Sequence, residues 1–495
     1  MSTAYLAVDL GSSSVRVMVG ILRTVSGAGS LVIREAGRFP NIPVRRPEGL
    51  GWDVAALHAG VVEGLRSGVA AARAAGAEVR GIGVAAWGVD YARLTADGVL
   101  RDFVRHHRDA DAVLAAQTSA ERDLAADYAV TGVLDQAINT AHQLRQDRAA
   151  GIGAADDTIL LTADIFVHLL TGRVGAEVSL ASTTGLLDRA TGDWSIPLSA
   201  GLPALLPPIV EDGSWSGSTT PEVTAAIGAD DPVPVFAVTA HDTAAAFMAV
   251  TDAADEGTGV VSSGSWGVAG LALAAPLLDE SARREGFTQE IGAAGDTLLV
   301  KNLSGMWLLQ QTLREWAEAD GSSAAPIEML TDLLAAAADS HYRGRFDPAD
   351  PSLQAPDGLT ARIAAACTAT GSAPPTSRGD FVRAIVDSLA AAYADTLRVA
   401  ADLSRRRLER IRIVGGGARN DLLCALTAER SGLPVIAGPV EASVRGVLLQ
   451  VAVAAGDLTD AASARGIVVD DGDGPARFHP AAAVATATPT IGDPS

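Results

Sequence analysis

The sequence predicts an α/β protein of two domains with a ligand-binding cleft between them. At 495 residues, the chain exceeds the size at which one hydrophobic core keeps growing, so two domains are expected. A pattern of apolar strand, Ser/Gly turn and apolar strand occurs at residues 4–22 and returns at residues 258–271. Stretches with helical spacing follow strand-like runs in both halves. We therefore expect domains at residues 1–248 and 249–475, followed by a disordered Ala/Thr/Pro-rich tail at residues 476–495.

The composition restricts the partners. The formal net charge is −21, which argues against nucleic acid or an anionic membrane as the main partner. No apolar run reaches the roughly 18 to 20 residues needed to span a bilayer. Two cysteines, Cys367 and Cys424, are too few for a disulfide framework, and the N-terminus lacks the basic start and apolar core of a signal peptide. We expect a cytoplasmic monomer or homodimer that binds small molecules.

The first Ser/Gly turn joins two apolar strands at residues 4–22, which predicts a β-hairpin. Gly11 allows the backbone to approach an anion, and residues 12–14, all Ser, offer amides and hydroxyls. Asp9, at the end of the first strand, can hold a hydrated metal ion. A surface hairpin with small turn residues is the alternative, but the recurrence of the pattern in the second half favours two facing phosphate loops.

A polyol-binding corner is predicted at residues 79–94, where a buried strand, a Trp-Gly turn and a second strand follow one another. A small polyol would meet the backbone at Gly88, an aromatic wall at Trp87 and a carboxylate at Asp90. The alternative for Trp87 is a role in filling the hydrophobic core.

The central stretch, residues 235–268, combines an acid with the second Ser/Gly turn. Asp242 comes just after an apolar, strand-like run, which places a carboxylate where it can act as a general base. The turn at residues 262–266 contains Gly264 and Ser265 and is suited to holding phosphate. This pairing of a base with a phosphate loop is the strongest functional indication in the sequence.

A third wall of the cleft is predicted in the second half. Residues 296–316 begin as a strand and become a helix, with Asn302 and Gln310 as polar groups that can face the cleft. Residues 379–404 have the apolar spacing of a buried helix. The strand that follows ends in three glycines before another helix, so residues 415–420 form a tight turn that can lie against an adenine ring or a ribose.

Together these motifs resemble those of the FGGY family of carbohydrate kinases, which have the actin-like, ribonuclease-H-like ATPase fold. The resemblance covers about residues 5–460, and its branch with the most similar motifs acts on L-rhamnulose. The motifs are Trp87-Gly88-Val89-Asp90, Ala240-His241-Asp242-Thr243-Ala244, Ser262-Ser263-Gly264-Ser265-Trp266, Asn302 with Gly305 and Gln310, and Gly438-Pro439-Val440-Glu441-Ala442-Ser443. The resemblance implies two ribonuclease-H-like domains that bind a nucleotide and a sugar in the cleft between them.

The resemblance also implies a reaction and roles for individual residues. The γ-phosphoryl group of ATP would pass to the carbon-1 hydroxyl of L-rhamnulose, and Asp242 would accept the proton of that hydroxyl. Asp9 and Asp242 would lie on the side of the bound Mg²⁺. The sugar-binding residues would be Trp87, Gly88, Asp90, His241, Thr243 and Asn302, and the ATP-binding residues Ser12, Ser13, Ser14, Arg16, Gly264, Ser265, Gln310, Gly415, Gly416 and Asn420.

The sequence departs from the family pattern at several positions. Val15 stands where Gly or another small residue is common in the first phosphate turn, and Ser265 stands where Thr is common. The pair Arg108-Asp109 is followed by Ala-Asp-Ala, and residues 134–138 also differ. Because the last two stretches shape the sugar side or the surface of the first domain, L-fuculose, xylulose and other ketoses or polyols remain open as substrates.

Two other function classes fit parts of the sequence. A non-metabolic ATPase of the same fold would have two phosphate turns, but it would not need the corner at residues 87–90 or the group at residues 241–243. A sugar sensor without catalytic activity should lack the base, whereas Asp242 is present. A sugar kinase accounts for the base, the polyol corner and both turns together.

Overall fold

A computed structural model describes residues 2–11, 13–25, 28–101, 103–107, 109, 122–321, 327–354, 358–470 and 474–480. Within these residues, two seven-stranded sheets form the framework of the molecule. Ser12 and Arg108 lie outside the described residues, so their expected roles stay predictions.

The first half of the chain begins with five strands, after which helices and strands are interspersed. In chain order they are β1 (Ser2–Leu10), β2 (Ser14–Val25), β3 (Ala28–Pro40), β4 (Val44–Arg46), β5 (Gly49–Asp53), α1 (Val54–Ala74), β6 (Ala77–Ala86), β7 (Tyr91–Leu94), β8 (Phe103–Arg105), α2 (Leu124–Thr131), α3 (Thr140–Ala150), β9 (Thr158–Leu161), α4 (Thr162–Thr171), β10 (Ala176–Glu177), α5 (Val178–Ala181), β11 (Leu187–Asp188), β12 (Asp193–Trp194), α6 (Ile196–Ser199), β13 (Ile209–Val210), β14 (Trp215–Ser218), α7 (Pro221–Ile227), β15 (Pro234–Phe236) and α8 (Asp242–Met248).

The elements of the second half include the longest described helix. In chain order they are β16 (Thr258–Ser263), β17 (Trp266–Leu273), α9 (Glu280–Arg284), β18 (Thr288–Ile291), β19 (Thr297–Ser304), α10 (Trp307–Ala319), α11 (Ile327–Asp339), α12 (Leu359–Ala369), α13 (Arg378–Ser404), β20 (Arg410–Val414), α14 (Asp421–Ser431), β21 (Val435–Ala437), α15 (Ala442–Ala454), α16 (Ala461–Arg465), β22 (Val468–Asp470) and β23 (Ala476–Phe478), with short 3-10 turns at Ala293–Gly295, Pro351–Gln354 and Gly416–Arg419.

The two large sheets share one plan. The first has the strand order β14-β15-β6-β1-β2-β3-β22, in which β1, β2 and β3 are antiparallel and β6 and β15 continue parallel to β1. The second has the order β18-β19-β17-β16-β20-β21-β23, in which β16, β17 and β19 are antiparallel and β20 and β21 continue parallel to β16. Both predicted hairpins are confirmed, and each contains the first two strands, in chain order, of one large sheet.

Capping residues in the sequence set the starts of the two long helices that cover the sheets. Asp53 accepts the backbone N–H of Ala56 at the start of α1, which packs on β2 and β3. Ser377 and Asp380 form a capping box at the start of α13, which packs on β17 and β19. Each helix buries an apolar stripe against its sheet, so each half of the chain has its own hydrophobic core.

Helix α15 and strand β22 lie on the first sheet, although the boundary predicted at residue 248 assigns them to the second domain. α15 packs against β1, β6 and α8, and β22 pairs with β3. The approach of α15 to α8 requires glycine, because a Cβ at Gly446 would overlap the backbone of Ala245. The chain therefore returns to the first sheet after it has completed most of the second.

Part of the stretch that was predicted to be a disordered tail, residues 476–495, forms a strand. Ala476–Phe478 is β23, which pairs antiparallel with β21. Residues 481–495 lie outside the described residues. Cys367 and Cys424 are free and buried in the core of the second half. Among the helices of the described ranges, none has both the length and the hydropathy of a membrane span.

Candidate active site

A cavity of about 230 Å³ lies between the two sheets, and both hairpin turns line it. Ligands of open α/β sheets bind beyond the carboxyl ends of the strands, which is where this cavity lies relative to β6. The structure brings twelve of the predicted site residues together on its lining: Ser13, Arg16, Trp87, Gly88, His241, Asp242, Thr243, Gly264, Ser265, Asn302, Gly415 and Gly416.

The first turn, between β1 and β2, is closed by backbone hydrogen bonds. The N–H of Gly11 donates to the carbonyl of Ser14 at 3.1 Å. Asn41, the residue after β3, supports the turn, because its side-chain amide donates to the carbonyl of Gly11 at 2.9 Å and its backbone N–H donates to the carbonyl of Ser13 at 3.1 Å. These contacts hold the backbone of the turn at the cavity edge.

Asp9 is the centre of a charged cluster at this turn. Its Oδ2 atom accepts hydrogen bonds from Arg16 at 2.6 Å and from the hydroxyl of Ser443 at 2.5 Å. Arg16 also donates to Glu441 at 2.8 Å, which links β2 to the second half of the chain. Asp9 is fully buried, and its Oδ1 atom has no hydrogen-bond partner among the described residues. A buried carboxylate oxygen of this kind is costly unless a cation or a polar ligand completes it.

Asp9 and Asp242 fit the magnesium ion that the sequence resemblance implies. Within the described residues, no group of three or more His, Cys, Asp or Glu side chains is arranged to hold a metal ion. Such a group is not required, since Mg²⁺ in kinases commonly uses one or two carboxylates together with phosphate oxygens and water. Asp242 lines the cavity with a partly exposed carboxylate of this type, and Asp9, which is fully buried and is not part of the lining, adds the unpaired oxygen Oδ1.

The second turn, between β16 and β17, is supported by backbone contacts. The N–H of Gly264 donates to the carbonyl of Trp266 at 2.9 Å, and the carbonyl of Gly264 accepts the N–H of Met306 at 2.9 Å. A Cβ at Gly305 would overlap the backbone of this turn. The turn therefore packs directly on the junction between β19 and α10, where Asn302 faces the cavity.

Three glycines follow β20, and two of them, Gly415 and Gly416, line the cavity. Gly415 has a φ of 79°, which favours glycine, and a Cβ there would lie 3.0 Å from the carbonyl oxygen of Ser263. A Cβ at Gly417 would overlap the side chain of Ser263. A Cβ at Gly416 would meet nothing within 4 Å, so this residue presents open backbone to the cavity.

Asp242 is the first residue of α8 and lines the cavity. The residues before it run beside the end of β6, where the N–H of Ala86 donates to the carbonyl of Ala240 at 2.8 Å. This pairing brings Asp242 next to the corner that follows β6. The side chain of Asp242 is 32% exposed, and the hydroxyl of Thr243 donates to its Oδ1 at 3.2 Å.

A histidine and a glutamate flank the carboxylate of Asp242. His241 Nδ1 lies 2.9 Å from Oε2 of Glu290, and His241 Nε2 lies 3.5 Å from Oδ1 of Asp242. Burial opposes protonation of His241, but the carboxylate of Glu290, helped by those of Asp242 and Glu177, outweighs it and raises the pKa of His241 to about 9. Burial raises the pKa of Asp242, and the positive charge of His241 counteracts this rise. The pair therefore keeps a positive charge beside Asp242 at neutral pH.

The corner at residues 87–90 is strained and closely supported. Val89 has a φ of 71°, which is unfavourable for a β-branched residue. Its carbonyl accepts hydrogen bonds from Thr140 at 2.8 Å and from Gln143 at 3.1 Å, both on α3. A Cβ at Gly88 would lie 2.9 Å from the hydroxyl oxygen of Thr183. Strain at a cavity wall that is held by several contacts is typical of ligand-binding sites.

Asp90 does not line the cavity, contrary to its predicted role as a sugar ligand. It is fully buried, and its Oδ2 atom accepts the indole N–H groups of Trp52 at 2.7 Å and Trp87 at 2.8 Å. The same oxygen lies 3.0 Å from Nδ1 of His107. Burial opposes ionisation, but His107, His106 and the hydrogen bond from Trp52 together outweigh it and lower the pKa of Asp90. Asp90 therefore positions Trp87 and His107, which do line the cavity.

Three further residues that were predicted to contact the nucleotide lie away from the cavity lining. Gln310 is exposed on α10, because the leucines of that helix occupy its buried side. Asn420 is buried and caps α14, where its side chain accepts the N–H of Leu423 at 3.0 Å. Ser14 begins β2 behind the first turn.

The structure also adds cavity residues to which the sequence assigns no role. They include His107, Thr183, Glu290 and Ser443. The adjacent histidines after β8 are a local signal that indicates a site. Glu290 and Thr183 give no such signal, because their positions depend on contacts with residues distant in sequence.

Comparisons with known proteins show the family and the fold of the chain. Models of the FGGY family of carbohydrate kinases match the chain, the N-terminal domain over residues 4–249 and the C-terminal domain over residues 259–455. The chain is 33% identical over 477 residues to the rhamnulokinase of Bacteroides thetaiotaomicron, which covers 94% of each chain. It is 32% identical over 471 residues to the rhamnulokinase of Enterococcus faecalis, which covers 93% of this chain and 91% of that one. The crystal structure of ligand-bound xylulose kinase from Lactobacillus acidophilus is 14% identical and matches with a TM-score of 0.73 over 97% of this chain and 94% of that one, which shows a shared fold.

Proposed function

We propose that this chain, which belongs to the FGGY family of carbohydrate kinases and is an ATP-dependent sugar kinase, phosphorylates L-rhamnulose on its carbon-1 hydroxyl. The observation that carries the proposal is the position of Asp242, which lies in the cavity between the two hairpin turns and beside Trp87 and Gly88. The choice of sugar is supported by the two relatives described above, both of which are rhamnulokinases.

Asp242 is the general base of the proposed reaction. Its carboxylate orients the carbon-1 hydroxyl and accepts the proton as the hydroxyl oxygen bonds to the γ-phosphorus of ATP. The bond between that phosphorus and the β,γ-bridging oxygen breaks, and ADP leaves with the electron pair. The products are L-rhamnulose 1-phosphate, ADP and a proton. Because the transition state is loose, positioning matters more than basicity, and a carboxylate suffices.

The sugar side of the cavity offers groups that suit a ketose. His241, Thr243 and Asn302 provide hydrogen-bonding side chains, Gly88 allows close approach to the backbone, and Trp87 supplies an apolar wall. In this proposal Asp90 acts through Trp87 and His107, since it is buried behind them. Gln136 and Ile138, from the stretch at residues 134–138 that departs from the family pattern, also line the cavity.

The nucleotide side is formed by both turns and by the glycines after β20. We assign phosphate contacts to Ser13, Arg16, Gly264 and Ser265, and contact with the adenosine to Gly416, all of which line the cavity. Asp9 and Asp242 would hold Mg²⁺, which would supply neutralisation of charge on the phosphate oxygens. Closure of the two halves around the substrates would exclude water, which otherwise competes for the phosphoryl group.

A coupled assay of ADP release across L-rhamnulose, L-fuculose, xylulose and glycerol tests this function. We expect kcat/KM for L-rhamnulose to exceed that of every other acceptor by at least about tenfold, a discrimination that one or two contacts can provide. Strong turnover of another sugar with none of L-rhamnulose would overturn the substrate assignment. ADP release that does not depend on any sugar would instead indicate a non-metabolic ATPase.

A further inference from the structure

We propose that Glu177 is a positioning residue for the catalytic segment, residues 240–242. Its carboxylate, together with the hydroxyl of Ser179, holds the two backbone N–H groups that precede Asp242. The inference rests on the proposed function, in which Asp242 is the base. Neither Glu177 nor Ser179 lines the active-site cavity.

One oxygen of Glu177 accepts four hydrogen bonds. Oε2 accepts the N–H of Ser179 at 3.0 Å, the hydroxyl of Ser179 at 2.5 Å, the N–H of Leu180 at 3.1 Å and the N–H of Ala240 at 3.1 Å. Glu177 is only 3% exposed. Because a buried carboxylate oxygen is shared between the start of α5 and the catalytic segment, it fixes the distance between these two elements.

Ser179 extends the contact by one residue toward the base. Its hydroxyl donates to Glu177 and accepts the N–H of His241 at 3.0 Å. On the opposite side, the carbonyl of Ala240 accepts the N–H of Ala86 from β6 at 2.8 Å. The two residues before Asp242 are thus held from both sides, by β6 and by α5.

Helix α5 is also connected to the second half of the chain. The hydroxyl of Ser182 donates to the carbonyl of Ser179 at 2.6 Å and accepts the N–H of Ile291 from β18 at 2.9 Å. Glu290, the neighbour of Ile291, forms the ion pair with His241. The catalytic segment, α5 and β18 therefore form one connected unit, so a shift of α5 would move the carboxylate of Asp242 relative to the facing turns.

If Glu177 only capped α5, its role would be structural. The distribution of its hydrogen bonds indicates that it also holds the catalytic segment. The bond to Ala240 lies outside the cap, and Oε1 of Glu177 has no partner among the described residues. Glu177 lines a second cavity of about 240 Å³, and Asp164 lines the same cavity. The side chain thus concentrates its bonds on the oxygen that reaches the catalytic segment.

The test compares Glu177→Ala and Ser179→Ala with two reference variants. Glu177→Gln keeps an oxygen that can accept the same N–H groups, and it is the conservative rescue. Asp164→Asn is the matched control, because Asp164 is a buried carboxyl of the same second cavity whose oxygens accept the N–H of Glu177 at 3.2 Å and not that of Ala240 or His241. Each variant is assayed for kcat, for KM of ATP and for amide hydrogen exchange of the peptide that contains residues 238–243.

We expect kcat of Glu177→Ala to fall about 10- to 100-fold, the usual cost of misplacing a catalytic group, while KM for ATP changes less than about threefold. Amide exchange of the peptide should be at least about tenfold faster, since the N–H of Ala240 loses its acceptor and the hydroxyl of Ser179, which accepts the N–H of His241, is no longer held by Glu177. Ser179→Ala should show the same pattern more weakly. Glu177→Gln and Asp164→Asn should stay within about threefold of the unaltered chain in all three measurements.

The proposal is overturned if Glu177→Ala and Ser179→Ala keep the kcat and the exchange rate of Asp164→Asn, or if Glu177→Gln is as impaired as Glu177→Ala. If Glu177→Ala does not fold, Ser179→Ala decides by the same criteria. If the unaltered chain releases no ADP with any sugar, the proposed function has failed. Hydrogen exchange still decides in that case whether Glu177 and Ser179 hold the segment.

Discussion

The two hairpin turns occupy equivalent places in the two sheets but differ in chemistry. At the turn between β1 and β2, Asp9 and Arg16 form an ion pair at 2.6 Å, and Arg16 also pairs with Glu441 at 2.8 Å. Residues 258–273, which form the other hairpin, contain no charged side chain. That turn is supported by backbone contacts, with Gly305 packed directly against it.

This difference indicates a division of roles. The charged first turn can orient a metal ion and the reacting phosphoryl group, whereas the neutral second turn offers backbone amides and the hydroxyl of Ser265. Substitutions in the first turn should therefore mainly change catalysis. Substitutions in the second turn should mainly change nucleotide affinity and stability.

The largest effect is expected at Asp242, which lies between the turns and belongs to neither. In Asp242→Asn, kcat should fall by about 10²- to 10⁴-fold, because an amide cannot accept the proton of the sugar hydroxyl. Both turns remain intact, so the dissociation constant for ATP, measured by isothermal titration calorimetry, should change less than about threefold. Near-normal turnover of this variant would reject Asp242 as the base.

The next largest effect is expected in the first turn. Asp9→Asn should lower kcat by about 10²-fold, the usual cost of removing one charged contact to the transition state. It should also raise the Mg²⁺ concentration required for half-maximal rate, because one hard oxygen donor is lost. Initial rates across a Mg²⁺ titration measure both effects.

Ser265→Ala is the matched control in the second turn. It removes one hydroxyl that lines the same cavity, so KM for ATP should rise by about tenfold or less, the value of one hydrogen bond, with kcat nearly unchanged. If both variants reduced kcat to the same extent, the division of roles between the turns would be wrong.

Stability should be sensitive to the backbone packing around the second turn. Gly417→Ala should lower the free energy of unfolding by roughly 1–3 kcal/mol, because the added Cβ overlaps Ser263 in a packed region. Gly416→Ala should stay within about 0.5 kcal/mol of the unaltered chain, since its Cβ meets nothing within 4 Å. Urea unfolding of both variants measures the contrast, and equal losses would show that the overlap is relieved at no cost.

Local sequence is enough to predict much of the fold and twelve of the residues that line the cavity. Each hairpin is predictable because its apolar strands and its Ser/Gly turn lie within about 20 residues of one another. Asp242 and the glycines at residues 415–417 are predictable for the same reason, since the signal is a short strand followed by a special residue. The family match confirms the recognition that these motifs support.

Contacts between distant residues are not predictable in this way. Glu441, the partner of Arg16, is 425 positions away in the sequence, and the pairing of Glu290 with His241 forms only when β18 packs beside α5. Gln310 shows a second limit of local patterns. The helix that contains it is predicted correctly, but its rotation is set by the burial of Leu308 and Leu309, which turns Gln310 to the surface.

The smallest effect concerns the ion pair between His241 and Glu290, which joins the two halves beside the turns. The pKa of His241 is about 9 in the folded chain, against about 6.5 in an unfolded chain. Because the folded-state pKa is raised, the contribution of the pair to stability is complete below about pH 6.5 and is lost as the pH rises through about 9.

Glu290→Gln removes the carboxylate that charges His241 and nearly preserves its shape. The variant should be less stable than the unaltered chain at about pH 6, and the difference in free energy of unfolding should shrink by roughly 1 kcal/mol or more by about pH 9.5, since one pKa unit corresponds to about 1.4 kcal/mol. Urea unfolding of both proteins at about pH 6, 7.5 and 9.5 measures the difference in free energy of unfolding. Groups that titrate in the same way in both proteins do not contribute to this difference. A difference that stays constant over this range would mean that Glu290 does not hold the charge on His241, and the positive charge beside Asp242 would then need another source.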